Sequence, residues 1–325
     1  MRKVLAAISA AMCIALGITA ASADTYPSRT ISIIVPFSAG GPTDTVTRLV
    51  AESMQRTLGQ QIIVENVSGA GGTLGAGRVA RAEPDGYTLL VYHIGMATSA
   101  TLYRKLAYDP KGDFAYVGLV TEVPMTLVAR PDFPAKDLAE LISYVKANKD
   151  KVTYANAGIG AASHLCGMLF MSAIETPLTT VPYKGTGPAM TDLLGGQVDF
   201  MCDQTTNTTS QIKAGKIKAY AVTSTKRLKA LPDLPTAEEG GLKGFQVGIW
   251  HGLYAPKGTP EEAIAKLTDA LQKALVDQNV IDRFAELGTE PVPASEATPA
   301  ALQAKLASEI DRWAPVIKAA GVYAD

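Results

Sequence analysis

Along this chain, short apolar runs alternate with stretches in which apolar residues recur every three or four positions. The runs fall at residues 31–35, 62–65, 88–92, 116–120, 125–129, 153–155, 179–181, 198–202 and 219–222, and their length and β-branched content predict strands. Between many of them the longer period predicts helices over 45–58, 74–82, 138–148, 163–174, 189–194 and 212–216. Strand followed by helix, repeated, implies α/β architecture with open sheets and right-handed crossovers. Towards the C-terminus the pattern turns mostly helical, over 260–277, 280–287 and 299–319. Thr259 is placed to cap the first of these, with Pro260 and Glu261 in its opening turn.

Two stretches interrupt the alternation. Residues 118–134 are extended and proline-flanked; residues 221–235 leave a strand, pass Lys226-Arg227-Leu228 and end in Pro232 and Pro235. Both read as crossings between lobes. A chain that leaves one lobe and later returns makes the first lobe discontinuous, so the expected organisation is lobe one over 24–120 plus 226–325 and lobe two over 121–225. No repeat at a fixed period and no low-complexity tract is present.

Candidate chemistry concentrates where strands end. The loop Pro36-Phe37-Ser38-Ala39-Gly40-Gly41-Pro42-Thr43-Asp44 lies between an apolar run and an amphipathic helix. Gly41 or a neighbour caps a helix with Pro42 and Asp44 in its first turn, so the loop presents free backbone N–H groups to an anion above the strand end. The plainer alternative is a tight turn that needs glycine for its backbone angles. Asp44 would repel an anionic ligand; its expected task is to cap the orphan amides of the first helical turn and hold the loop rigid. The segment carrying Asn156, Gly158, Gly160, Ala161, Ser163 and His164 repeats the strand, glycine loop and helix start, as an opposed jaw. His164 reads as a capping or packing residue, with ligand contact as the other reading. A third loop adds donors around Gly185, beside Lys184, which is either a ligand cation or a solvated charge. Asp203-Gln204-Thr205-Thr206 follows a strand and is dense in hydroxyls and amides, either a capped turn or a ligand contact. Tyr92 and His93, and Trp250 with His251, supply either pocket walls or core and hinge packing.

The ends and the charge narrow the class. Arg2 and Lys3, an apolar stretch to about Ile18 and Ala21-Ser22-Ala23 form a secretion signal cleaved after Ala23; methionine before Cys13 argues against a lipoprotein. The formal charge of −1 becomes −3 without Arg2 and Lys3, and neither a basic stripe for nucleic acid nor a polybasic membrane patch is present. Cys166 and Cys202 are the cysteines left, in a compartment where disulfides persist, and stand as a bridge or as two buried thiols. Enzyme signals are weak. Gly75-Ala76-Gly77-Arg78-Val79-Ala80 matches a dinucleotide fingerprint but falls inside a helical pattern, and G-x-x-x-x-G-K-[ST], G-x-S-x-G and H-E-x-x-H do not occur. No metal-binding cluster and no cofactor motif is legible.

Six segments together resemble the Bug solute-binding proteins of tripartite tricarboxylate transporters. They are Pro36-Phe37-Ser38-Ala39-Gly40-Gly41 with Asp44, Glu83-Pro84-Asp85-Gly86-Tyr87, Leu102-Tyr103-Arg104-Lys105-Leu106-Ala107-Tyr108-Asp109-Pro110, Val181-Pro182-Tyr183-Lys184-Gly185, Leu193-Leu194-Gly195-Gly196-Gln197-Val198-Asp199 and Tyr254-Ala255-Pro256-Lys257-Gly258-Thr259-Pro260. The resemblance spans the mature chain in order. It implies a type II periplasmic binding protein-like fold closing on one ligand, with the loops at 38–44 and 156–164 holding a carboxylate through backbone amides and ordered water. It also implies a small organic acid as ligand, a dicarboxylate or aromatic acid, and delivery by a monomeric periplasmic receptor to the transporter's membrane subunits. The chain departs from the pattern at Met168, at Tyr92-His93 and in the threonine-rich run after Asp203, and these departures bear on which acid is bound. Two other readings stand beside it: a ligand-sensing module for a sensor kinase, and an exported hydrolase or isomerase using His93, His164 or His251.

Overall fold

The computed structural model describes residues 26–324; the expected signal segment and its cleavage site lie outside them. The first half of the sheet is built from β1 (Ile31–Val35), β2 (Ile62–Asn66) and β3 (Thr88–His93), with α1 (Pro42–Leu58) and α2 (Thr73–Ala80) in the connections. β1 pairs in parallel with both β2 and β3. Four of its five residues are buried, as an unbroken apolar run in a parallel strand requires. α1 turns Val46, Val50 and Met54 onto one face of this sheet, where they meet Ile31, Ile33 and Leu253. The fingerprint-like glycines lie inside α2, as the helical pattern implied.

After α3 (Gly95–Leu102) comes β4 (Phe114–Ala129), which is one continuous strand where the pattern predicted two. Its first part pairs with β9 (Gly248–Pro256) and its last residues pair with β7 (Phe200–Gln204) and β8 (Lys218–Val222), all antiparallel. β5 (Thr153–Asn156) pairs in parallel with β6 (Thr179–Pro182) and with β7, giving the order β2-β1-β3-β9-β4-β7-β5-β6 with β8 on β4. α4 (Leu138–Ala147), α5 (Ala162–Ala173), α6 (Thr186–Leu194) and α7 (Thr205–Lys213) fill the connections here. The expected crossing at 118–134 thus begins as β4. Residues 221–235 leave β8 and fold back on it, Val222 N–H donating to the Pro235 carbonyl, before the chain reaches β9.

One expectation needs correction and one open question closes. The threonine-rich run is a helix, α7, not a turn. Its hydroxyls are only partly satisfied: Thr208 Oγ1 donates to the Gln204 carbonyl at 3.3 Å and Thr209 Oγ1 to the Leu287 carbonyl at 3.0 Å, while Thr206 Oγ1 is buried without a partner. The open cysteine question resolves as a disulfide, which ties α5 to β7 across a Cα separation of 6.0 Å. The C-terminal helices are α8 (Glu261–Leu275), α9 (Gln278–Glu286) and α10 (Pro299–Ala320), and α10 covers α3 and β4.

Candidate functional site

Where strand ends face each other, the chain leaves a small cleft lined by Phe37, Gly41, Pro42, Thr43, His93, Ala157, Ala162, Ser163, Thr186, Asp203 and Gln204. The starts of α1, α5, α6 and α7 all border it. Their capping residues are Gly41, Ala161, Gly185 and Gln204, and none supplies a side-chain cap. Uncapped first turns leave N–H groups and the positive end of each helix dipole directed at the space between them. No lysine or arginine is among the described residues lining the cavity, so any attraction it exerts on an anion comes from backbone.

The loop before α1 is held from below. Gly40 has φ 78°, and its N–H donates to Asp44 Oδ2 at 3.0 Å. The same carboxylate accepts from Arg48 Nε at 3.0 Å and from Asn66 Nδ2 at 2.9 Å, and Asn66 Nδ2 also donates to the Phe37 carbonyl at 3.0 Å. Burial pushes the Asp44 carboxyl up, but hydrogen bonds from Arg48, Gly40 and Asn66 and the Arg48 charge hold it below the usual range. Of the two tasks expected of Asp44, it holds the loop, at Gly40, and does not cap the first-turn amides of α1.

Opposite this loop, Asn156 Oδ1 accepts from Gly158 N–H at 2.8 Å and Ser163 Oγ from Ala157 N–H at 2.8 Å, which rigidifies the turn into α5. His164 Nδ1 accepts from Gly160 N–H at 3.4 Å, and burial lowers its pKa, so it is a neutral bracing residue outside the cavity lining. The jaws touch: Ser38 N–H donates to the Lys184 carbonyl at 3.0 Å, and a Cβ added at Gly185 would lie 2.9 Å from Ser38 N. Ala39 and Gly40 are exposed beside this contact, and Ala161 and Gly185 act through backbone. The Lys184 side chain faces a wider groove with Ser38, Gly71, Tyr103 and Gly158.

The aromatic candidates separate. His93 lines the cavity, stacked on Phe37 with centroids 4.7 Å apart; burial and then the neighbouring His251 keep it neutral. His251 Nε2 lies 3.3 Å from Thr43 Oγ1, and burial pushes its pKa down to about 3. Tyr92 is spent on the Gly71 carbonyl at 2.8 Å, Thr205 on the Gly288 carbonyl at 3.1 Å, and Trp250 is buried outside the lining. Asp203 and Gln204 are in the wall, and Gln204 Oε1 is buried without a hydrogen-bond partner. Pro42, Ala157, Ala162 and Thr186 also line the cavity and were not among the sequence candidates. They sit at helix starts or in loops that the pattern did mark, beside the residues chosen.

Residues 46–322 match the family described as "Tripartite tricarboxylate transporter family receptor". A UPF0065 protein of Agrobacterium vitis is 58% identical over 298 residues, covering 92% of this chain and 86% of that protein. The solved structure of the periplasmic binding protein BugD is 56% identical with a TM-score of 0.90, covering 92% of this chain and 99% of that one. MatC from Rhodopseudomonas palustris, solved with bound malate, is 47% identical with a TM-score of 0.87 over 90% of this chain and 100% of that one. This chain belongs to the tripartite tricarboxylate transporter receptor family, and it is a solute-binding receptor rather than an enzyme.

Proposed function

We propose that the protein captures a small dicarboxylate in the cavity bordered by the starts of α1, α5, α6 and α7. The observation that carries this reading is the convergence of those uncapped helix starts on one cleft whose described lining holds no lysine or arginine. Backbone N–H groups and dipole ends stabilise a carboxylate without the desolvation cost of a buried cationic side chain. The malate bound to MatC is a short aliphatic diacid, of the class proposed here. In this reading Phe37, Thr43, His93, Ser163, Asp203 and Gln204 touch the ligand. Ser38, Ala39, Gly40, Asp44, Asn156, Gly158, Gly160, Ala161, His164 and Gly185 shape the loops around it. The chain acts as a periplasmic monomer, its signal cleaved after Ala23. It closes two lobes on the acid and presents the closed form to the transporter's membrane subunits.

A thermal-shift screen against organic acids, followed by calorimetry, tests this. A matching acid at a hundredfold excess over Kd adds about 2.7 kcal/mol, which raises Tm by several degrees. The expected result is one acid bound per chain and recovered unchanged. If no di- or tricarboxylate shifts Tm, the reading fails.

A further inference from the structure

Asp203 is the one feature of the cavity wall that an anion receptor does not call for. It lies near the carboxyl end of β7, is 1% exposed, and shares the wall with Phe37, His93, Ser163 and Thr186. Its Oδ1 accepts from Gln204 N–H at 2.8 Å and its Oδ2 from Asn207 Nδ2 at 2.6 Å, both neutral donors.

The elements around it supply no counter-ion. β4 contributes Thr126, which donates to the Asp203 carbonyl; α7 contributes Asn207, and the start of α6 contributes Thr186. β5 contributes Tyr154, whose phenol is pushed up by burial and by Asp203 itself, and which donates to the Ser163 carbonyl at 2.6 Å. Across the cavity stands His93, neutral through burial. Lys184, near the start of α6, is exposed and faces the outer groove. Burial without a cation pushes the Asp203 carboxyl up to about 7. A ligand carboxylate brought into the same closed space adds a like charge and drives it higher, because two carboxylates in contact with little water between them hold a proton.

We infer that Asp203 meets the bound acid in its protonated form and donates its O–H to a ligand carboxylate oxygen, so that capture above neutral pH takes up one proton from solvent. The inference rests on the carboxylate-receptor reading above. Asp203 then becomes a specificity residue. It matches an acceptor on the ligand, and it makes binding tighter as the medium becomes more acidic.

Calorimetric titration with malate and with adipate, at pH 6 and pH 8 in buffers of different ionisation enthalpy, counts the protons. Wild-type protein should take up close to one proton per acid at pH 8 and clearly less at pH 6, and its affinity should fall about tenfold per pH unit above pH 7. Asp203→Asn, which keeps an N–H donor and cannot ionise, should bind with no proton uptake and with an affinity that does not change between the two pH values. Wild-type binding with no proton uptake at pH 8 overturns the inference and leaves the receptor reading standing. So does a preference for α-ammonium diacids, bound without uptake, since an ionised Asp203 would then be the acceptor. Failure of every diacid to bind at both pH values overturns the receptor reading and the inference with it. The proton count is made on the wild-type chain, so it decides even if the variant does not fold.

Discussion

Asp44 shows how a charge can serve an anion site without touching the anion. Its carboxylate is 4% exposed and gathers Gly40 N–H, Arg48 and Asn66 onto itself. Asp44→Ala strips an acceptor from each, which should cost about 1–3 kcal/mol and loosen the loop that presents Gly41 and Thr43. The pH dependence follows from the lowered folded-state pKa. The contribution is complete above the unfolded value of about 3.9 and is lost as pH falls through the depressed folded value. Denaturant midpoints of wild type and Asp44→Ala should therefore differ at pH 7 and converge in acid; an equal gap at pH 7 and pH 2.5 would remove Asp44 from this role. Gly40 makes a separate test. Its φ is 78°, but an added Cβ would meet nothing within 4 Å, whereas Gly41 has φ −87° with Gly187 N 3.6 Å from such a Cβ. Gly40→Ala should destabilise by about 1–2 kcal/mol through backbone strain alone, and Gly41→Ala by clearly less. Equal midpoints for the two variants would contradict that.

Between elements, the Cys166–Cys202 bridge joins the helix that starts with Ser163's turn to the strand that ends in Asp203 and Gln204. It closes a segment of 36 residues, so the double Cys166→Ala, Cys202→Ala variant should lose about 3–4 kcal/mol in chemical denaturation. A midpoint unchanged from wild type would show that the bridge does not constrain the unfolded chain. Helices are legible where one face is wet: α1 and α5 stand out by period, β1 by its unbroken apolar run, and the loops between strand and helix mark most of the cavity wall. What escaped is buried on all sides. β9 begins at Gly248, is interrupted by Gly252, ends in Pro256 and lies between two antiparallel neighbours, so it shows no alternation. α3 buries Gly95, Met96, Ala97, Thr98, Ser99 and Leu102, which leaves no polar stripe to set a period. α7 opposes its own propensity, since threonine is a weak helix former. Tertiary hydrogen bonds to Gly288, Leu287 and Thr126 override that preference. Trp250 and Thr205 were chosen for type and place, but the direction of a side chain depends on which neighbour has room for it. That is a property of the packed sheet rather than of the local segment.

For the whole molecule, the question is whether the cavity opens. Three of the described contacts across it are hydrogen bonds: Ser38 N–H to the Lys184 carbonyl, Tyr103 Oη to the Ile159 carbonyl at 2.8 Å and Thr98 Oγ1 to the Gly160 carbonyl at 2.9 Å. Hydrogen bonds of this kind contribute roughly 1 kcal/mol each, so they can break and re-form as a ligand enters and leaves. β4 runs through both halves of the sheet and is the segment about which a rigid rotation would occur. The closest approach is at Gly71, φ 61°, where an added Cβ would overlap the Ile159 carbonyl. Gly71→Ala should leave the two halves folded and keep them from meeting. The population shifts to the open form, and apparent affinity for a diacid falls tenfold or more, as the competent fraction falls. Solution scattering should show a smaller radius of gyration for wild type with ligand than without, and little change for Gly71→Ala at the same ligand concentration. Wild-type affinity in a folded Gly71→Ala protein, or a wild-type radius indifferent to saturating ligand, would mean that capture proceeds without lobe closure.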